Sequence, residues 1–408
     1  MEATYSNLND EGYLIRDAIT SQEAAELATE LTNYTFDVLF DHRGWTVPRE
    51  DPLALNIISD KRSREMLLED HKNESVWEGG FSRRPIISKS CGMWYGNYNR
   101  KKLEMIDFNP KLYQISTEVM GTEKLGVLSG IERFSIKPGI VTDPETGHKA
   151  DGAIDMPKHI DSCLFDDKPN YPFRIQSLVC LSVGDDVAAR DSGTLNLLVN
   201  FHHYWDFAKH LLNPQYGLVP MPDEKLRFHK LPTDWNKHYL PLLKGHAEAY
   251  TIFLHDRKRY MKEFVVERET FEFYTWLVEQ NVHVPKEMKD MYWKPIVLKP
   301  GQMVFWHQYL PHQSLRNKSA TPRIVAYYNL QPIPGPELYG SEHQKWLVEI
   351  MSKAHFYHHV NYGVYTRDIK NIQEFNYLRD NGLVKEVTDY IMNNPIARKL
   401  IGLDHYEY

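Results

Sequence analysis

His159 and Asp161 stand in the stretch Met156-Pro157-Lys158-His159-Ile160-Asp161-Ser162. If this stretch is extended, residues i and i+2 project from one face, about 7 Å apart along the strand. An imidazole and a carboxylate so placed can share one small cation. They make two of the three ligands of the facial triad that holds non-haem Fe(II) and leaves coordination positions open. Alone the pair is a weak signal, because a turn aspartate beside a surface histidine gives the same string. A second stretch supplies what such a site lacks. From Lys299-Pro300-Gly301 a turn leads into the short apolar strand Met303–Trp306, then into a loop carrying His307 and His312. Arg323 follows 11 positions after His312 and opens another strand pattern. That adds a third ligand and a guanidinium able to anchor an acidic cosubstrate through a bidentate fork.

The order His-x-Asp, distal His, then Arg resembles the Fe(II)/2-oxoglutarate-dependent dioxygenases, and among them the phytanoyl-CoA dioxygenase family. The segment Asp191–His202 strengthens the resemblance at Gly193, Leu195 and His202. It departs from the family at Asn200-Phe201, where relatives carry Gly and then Ser or Thr. The opening Gly12-Tyr13-Leu14-Ile15-Arg16 is similar in a less specific way. The resemblance implies a mainly β fold with flanking helices: a double-stranded β-helix (a jelly-roll, cupin-like core) with a metal at one open end. It implies Fe(II) on His159, Asp161 and His312, with 2-oxoglutarate and O2 as cosubstrates and Arg323 on the far carboxylate. The activity implied is hydroxylation of an unactivated C–H of a small organic substrate, releasing succinate and CO2.

Details refine that expectation. Related halogenases carry a small residue at the position of Asp161, so the intact carboxylate points to hydroxylation. Many relatives place a hydroxyl residue two positions after the arginine, where this chain has Val325. Lys137 and Tyr327 are then the candidates for a second contact to the cosubstrate. His307 rivals His312 as the third ligand, and the spacing to Arg323 favours His312. His202-His203, His210 and the group His355, His358 and His359 lack carboxylates at strand spacing and read as structural or surface histidines.

The chain of 408 residues accommodates a large core. A net charge of −7 argues against non-specific nucleic-acid binding. Cys91, Cys163 and Cys180 form no CxxC and no disulfide framework, which favours a reducing compartment. The N-terminus shows no signal pattern, and no apolar run approaches the ~20 residues of a membrane span. A cytoplasmic enzyme acting on a small molecule is expected.

The elements that must position these residues follow the hydrophobic pattern. A strand at 12–16 precedes a helix with a Thr20–Glu23 capping box and an apolar stripe of Ala24, Leu27, Leu31 and Tyr34. A helix is expected over Pro110–Met120 and strands over Leu125–Leu128 and Ile131–Lys137, the latter placing Arg133, Ser135 and Lys137 on one face. Phe173–Val183 reads as a strand buried on both faces. Strands resume at Pro295–Leu298, Met303–Trp306 and Arg323–Gln331, and helices at Glu342–Ala354 and Gly382–Met392, with a stop at Asn394-Pro395. The whole reads as one elaborated domain: an N-terminal region 1–124, core 125–203 and 295–334, an insertion 204–294 and a helical tail 335–408. The insertion, with a helical pattern at Tyr260–Val282 and many aromatics, is long for a connector and suits a lid over the site. The competing readings are a jelly-roll binding or regulatory protein without turnover, and a cupin-type Zn or Mn enzyme that uses no oxoglutarate. Arg323 discriminates, since a cupin has no need of a buried arginine at that spacing.

Overall fold

The computed structural model describes residues 8–40, 49–50, 55, 93–94, 99–127, 134–150, 152–153, 155, 175–204, 292–307, 310–328, 330–332, 382–400 and 404. The strands are β1 (Tyr13–Asp17), β2 (Met93–Trp94), β3 (Leu125–Val127), β4 (Phe134–Lys137), β5 (Val141–Thr142) and β6 (Lys149–Ala150). They continue as β7 (Ile175–Ser182), β8 (Leu195–Val199), β9 (Tyr292–Ile296), β10 (Gln302–His307), β11 (His312–Ser314), β12 (Arg323–Tyr327) and β13 (Leu330–Pro332). A six-stranded sheet runs β1-β10-β7-β12-β4-β2, and a three-stranded sheet runs β11-β8-β9, all pairings antiparallel. The chain crosses between sheets from β7 to β8, from β9 to β10, from β10 to β11 and from β11 to β12. This alternation is how a jelly roll closes two sheets over one interior. The fold is mainly β with flanking helices, as expected.

Side-chain alternation divides the large sheet into two faces. One face, with Phe134, Ile136, Val179, Leu181, Met303, Phe305, Ile324 and Ala326, joins the hydrophobic core shared with the helices. The helices are α1 (Ser21–Tyr34), α2 (Pro110–Met120), α3 (Leu383–Asn393) and α4 (Pro395–Leu400). The expected capping box of α1 is present: the backbone N–H of Glu23 donates to the Thr20 hydroxyl, and the Thr20 N–H donates to the Glu23 carboxylate. Among the described residues no helix is long and apolar enough to cross a membrane.

The opposite face carries Ser135, Lys137, Leu178, Cys180, Val304, Trp306, Arg323 and Val325, all buried. It meets the small sheet, because Lys137 Nζ reaches Ser314 and the Trp306 ring meets that of His312. Polar and cationic side chains on this inner face therefore line the interior between the sheets.

Two boundaries that involve proline differ from the sequence reading. The strand before the Pro-Gly turn is Tyr292–Ile296, with Pro295 inside it. Proline survives there because β9 is the edge of its sheet in this set of strands, where a missing N–H breaks no ladder. Asn394-Pro395 ends α3 but also starts α4: the Asn394 carboxamide accepts from the N–H groups of Ile396 and Ala397, and proline is well suited to a first helical turn. The Glu342–Ala354 and Tyr260–Val282 helices lie outside the described residues.

Gly301 fastens β10 to its surroundings. Its N–H donates to Cys180 O at 2.8 Å, and its carbonyl accepts from Ala18 and Ile19 at the end of β1. Its φ of +90° is left-handed, and a Cβ there would sit 2.3 Å from the Ile19 carbonyl oxygen. Gly301→Ala should therefore lower stability by at least about 2 kcal/mol, since strain and a backbone clash act together. Denaturant unfolding checks this, and a loss of a few tenths of a kcal/mol would mean that the turn tolerates a side chain.

Candidate functional site

His312 opens β11, opposite Leu197 of β8, with its ring 6% exposed. The N–H of Leu198 donates to the Pro311 carbonyl, which fixes the approach to the strand. Nδ1 lies 3.1 Å from Leu310 O. A carbonyl can only accept, so Nδ1 bears a proton toward it, and in the neutral ring the lone pair is on Nε2. This is how a second contact sets the tautomer of a metal-ligating imidazole. The Trp306 ring lies edge-on to it, centroids 5.6 Å apart.

His307, the rival, is placed differently. By alternation it shares the face of Met303 and Phe305, and its ring stacks on His202 at 5.1 Å, with His203 4.0 Å beyond. His203 in turn contacts Asp10 O through Nε2. Burial, and secondarily the His203 charge, depress the His307 pKa to about 4. These histidines form a packed seam where β1 meets the end of β8, in keeping with a structural role for His202. His210, His355, His358 and His359 lie outside the described residues.

Arg323 opens β12 directly opposite Lys137 of β4. Opposed residues of an antiparallel pair have Cβ atoms about 5 Å apart, and like charges there repel. Both are inside the protein, Lys137 at 0% and Arg323 at 3% exposure. The Lys137 ammonium donates to Ser314 O at 3.0 Å, to Ser314 Oγ at 3.1 Å and to Leu315 O. Arg323 Nη1 is buried and has no hydrogen-bond partner among the described residues. Cys180, near the guanidinium, cannot offset it: burial pushes the thiol up to about 11 despite the pull of Arg323, so it stays neutral. A buried guanidinium with an unmet donor, beside a second cation, is the environment a bound carboxylate would complete.

The surroundings are built around this pair. Gly193, with φ +78°, passes so near that a Cβ would lie 3.1 Å from Arg323 Cβ. The Asn317 carboxamide donates to Lys137 O and Thr321 O, tying the β11–β12 loop to the end of β4. Tyr327, four residues along β12 from Arg323, sits about 13 Å further down the strand, opposite Leu178. Of the two candidates for a second anchor, Lys137 is the one beside Arg323. His159 and Asp161 lie outside the described residues, and among those described no group of three His, Cys, Asp or Glu gathers to hold a metal. Sequence reasoning missed Ser314, Asn317 and Trp306, none of which carries a motif; Gly193 was noticed as a match without its steric reason.

The buried, neutral state of His307 has a pH signature. Its folded pKa is depressed, so its contribution is fully present above the ordinary value near 6.5 and is lost as pH falls toward 4. Between pH 7 and 5 the parent should lose about 2 kcal/mol more stability than His307→Gln. Urea titrations at the two pH values measure this, and equal losses in both proteins would show that His307 does not resist protonation.

The profile of the family described as Phytanoyl-CoA dioxygenase (PhyH) matches residues 254–325. The match begins within the segment read as an insertion and ends two positions past Arg323, taking in His307 and His312. No curated protein matches this chain. Solved structures similar to it include the non-haem alpha ketoglutarate dependent epimerase SnoN from nogalamycin biosynthesis, 13% identical, with 81% of this chain and 83% of that one covered and a TM-score of 0.35. AviO1 from Streptomyces viridochromogenes Tue57 is 11% identical, covering 82% and 96%, TM-score 0.35. GlcNAc Inducible Gene 2, GIG2 (DUF1479), from Candida albicans is 13% identical, covering 95% and 86%, TM-score 0.40. Over the segment that carries the distal histidine and the buried arginine, the chain is phytanoyl-CoA dioxygenase-like.

Proposed function

We propose that this chain is a non-haem Fe(II)- and 2-oxoglutarate-dependent dioxygenase that hydroxylates an unactivated C–H of a small organic substrate. The observation that carries this reading is Arg323, buried with an unmet Nη1 donor beside Lys137, in the same interior as the lone-pair nitrogen of His312. The donor chemistry fits: an imidazole of fixed tautomer serves a divalent iron, and a guanidinium serves a carboxylate. His312, His159 and Asp161 would hold the metal. Fe(II) would couple decarboxylation of 2-oxoglutarate, giving succinate and CO2, to insertion of an oxygen atom from O2 into the substrate.

The protein's own groups have separate tasks. Arg323 binds and orients the far carboxylate, and burial keeps water from screening that pair. Lys137 adds positive potential at the same end while its ammonium braces Ser314 and Leu315. The Leu310 carbonyl holds the His312 ring in place through Nδ1. The segment 204–294, of which residues 205–291 lie outside the described residues, joins β8 to β9, whose facing ends Val199 and Tyr292 lie two positions beyond the level of His312. We assign it to the wall or lid that chooses the substrate.

Arg323→Ala should weaken 2-oxoglutarate by about 2–5 kcal/mol while leaving Fe(II) affinity near that of the parent. His312→Ala should do the reverse, and His307→Ala should leave metal affinity intact. Anaerobic calorimetry separates these outcomes; cosubstrate affinity within twofold of the parent in Arg323→Ala would remove the anchor role. Amides of residues 204–294 should gain protection from hydrogen exchange when 2-oxoglutarate binds, because closure removes a lid from water. Unchanged exchange would make the segment an outer brace.

A further inference from the structure

Trp306 is the other inner-face side chain with an unmet donor. It is 3% exposed, and its indole Nε1–H is buried without a hydrogen-bond partner among the described residues. Buried tryptophans ordinarily find an acceptor for this group, because desolvating an N–H without compensation is costly. Its position is specific. Trp306 faces into the sandwich, edge-on to the His312 ring, and lies directly opposite Gln176 of β7. Besides the buried, polar Gln176, the walls around it are apolar: Leu178 and Val304 on the large sheet, Leu197 and Val199 on the small one.

The two unmet donors lie at opposite ends of this interior. Along β7, Trp306 stands at the level of Gln176, while Ile324, next to Arg323, stands at the level of Ser182. Six positions of β7 separate the two backbone levels. A five-carbon diacid held by Arg323 through its far carboxylate would turn its chelating end toward His312, so Trp306, whose ring meets that of His312, addresses what is bound beside it. There, the oxygens of a chelating cosubstrate are turned to the metal, whereas an organic substrate must be oriented by side chains alone.

We propose that Trp306 is a specificity-determining residue whose indole N–H donates to an oxygen of the primary substrate. The substrate class is then an organic molecule with an apolar body and a carbonyl or other oxygen acceptor near the attacked C–H, rather than a plain hydrocarbon. This deepens the proposed function and rests on it for the role of the His312 end as the reacting end.

The test is made on the full chain without metal, labelled with ¹⁵N at tryptophan indoles, the Trp306 signal being identified by its loss in both Trp306→Phe and Trp306→Tyr. The probes are cyclohexanone and methylenecyclohexane, which share a shape and differ in the oxygen. The ketone should move the Trp306 indole resonance downfield saturably and the alkene should leave it in place. Trp306→Phe should weaken the ketone about three- to tenfold, the range of one hydrogen bond, and leave the alkene unaffected. A signal that ignores the ketone, responds equally to both probes, or moves with 2-oxoglutarate in place of the ketone overturns the proposal. Failure of the iron and cosubstrate reading would show instead in the Arg323 and His312 titrations, which this measurement does not use.

Discussion

Two cations, Lys137 and Arg323, are buried side by side on opposed strands, and the arrangement around them is arranged to tolerate it. Burying one charge is costly, and placing a like charge across the ladder raises that cost. For Lys137 the answer is internal: the chain turns after β11 so that Ser314 and Leu315 present oxygens to the ammonium. For Arg323 the internal answer is incomplete at Nη1. Among the described residues one of two neighbouring cations is satisfied and a donor of the other is unmet, an environment that an anion would complete.

The rest of the architecture follows from keeping that pair dry and aimed. The helices cover the far side of the large sheet, so its inner face is left to the interior between the sheets. Gly193 removes the side chain that would collide with the Arg323 stem, and Asn317 holds the loop joining β11 to β12. Because the chain alternates between sheets, His312 and Arg323 fall on strands of different sheets that face one interior. Eleven residues of sequence thereby span the two walls of one interior.

Much of this was legible in the sequence. The apolar run 173–183 gave β7 because a strand covered on both faces needs no polar alternation, and it does bury Val179 and Leu181 toward the helices with Leu178 and Cys180 inward. The capping box and stripe of α1 were legible because they are local. Spacing to Arg323 favoured His312 over His307; the two stand on strands of different sheets, His312 against Trp306 and His307 against His202. What sequence could not show is register. Alternation put Ser135 and Lys137 on one face but could not say that it points inward, nor that Lys137 meets Arg323 across a gap of nearly half the chain. Trp306 appeared only as the end of an apolar strand, because nothing local marks an indole as lacking an acceptor. Pro295 and Asn394-Pro395 misled at boundaries, since the same residues that break a central strand or a helix also suit an edge strand or a helix start.

The central claim is that Arg323 Nη1 receives a carboxylate of a diacid whose other end is held at His312. A crystal structure of the full chain with Mn(II) and N-oxalylglycine, a redox-silent metal and an unreactive analogue of 2-oxoglutarate, tests it most directly. The account predicts the metal on His312 Nε2 together with His159 and Asp161, and the far carboxylate within hydrogen-bond distance of Arg323 Nη1. A metal on His307, or a diacid bound away from Arg323 with Nη1 met by a group of the protein itself, would contradict it.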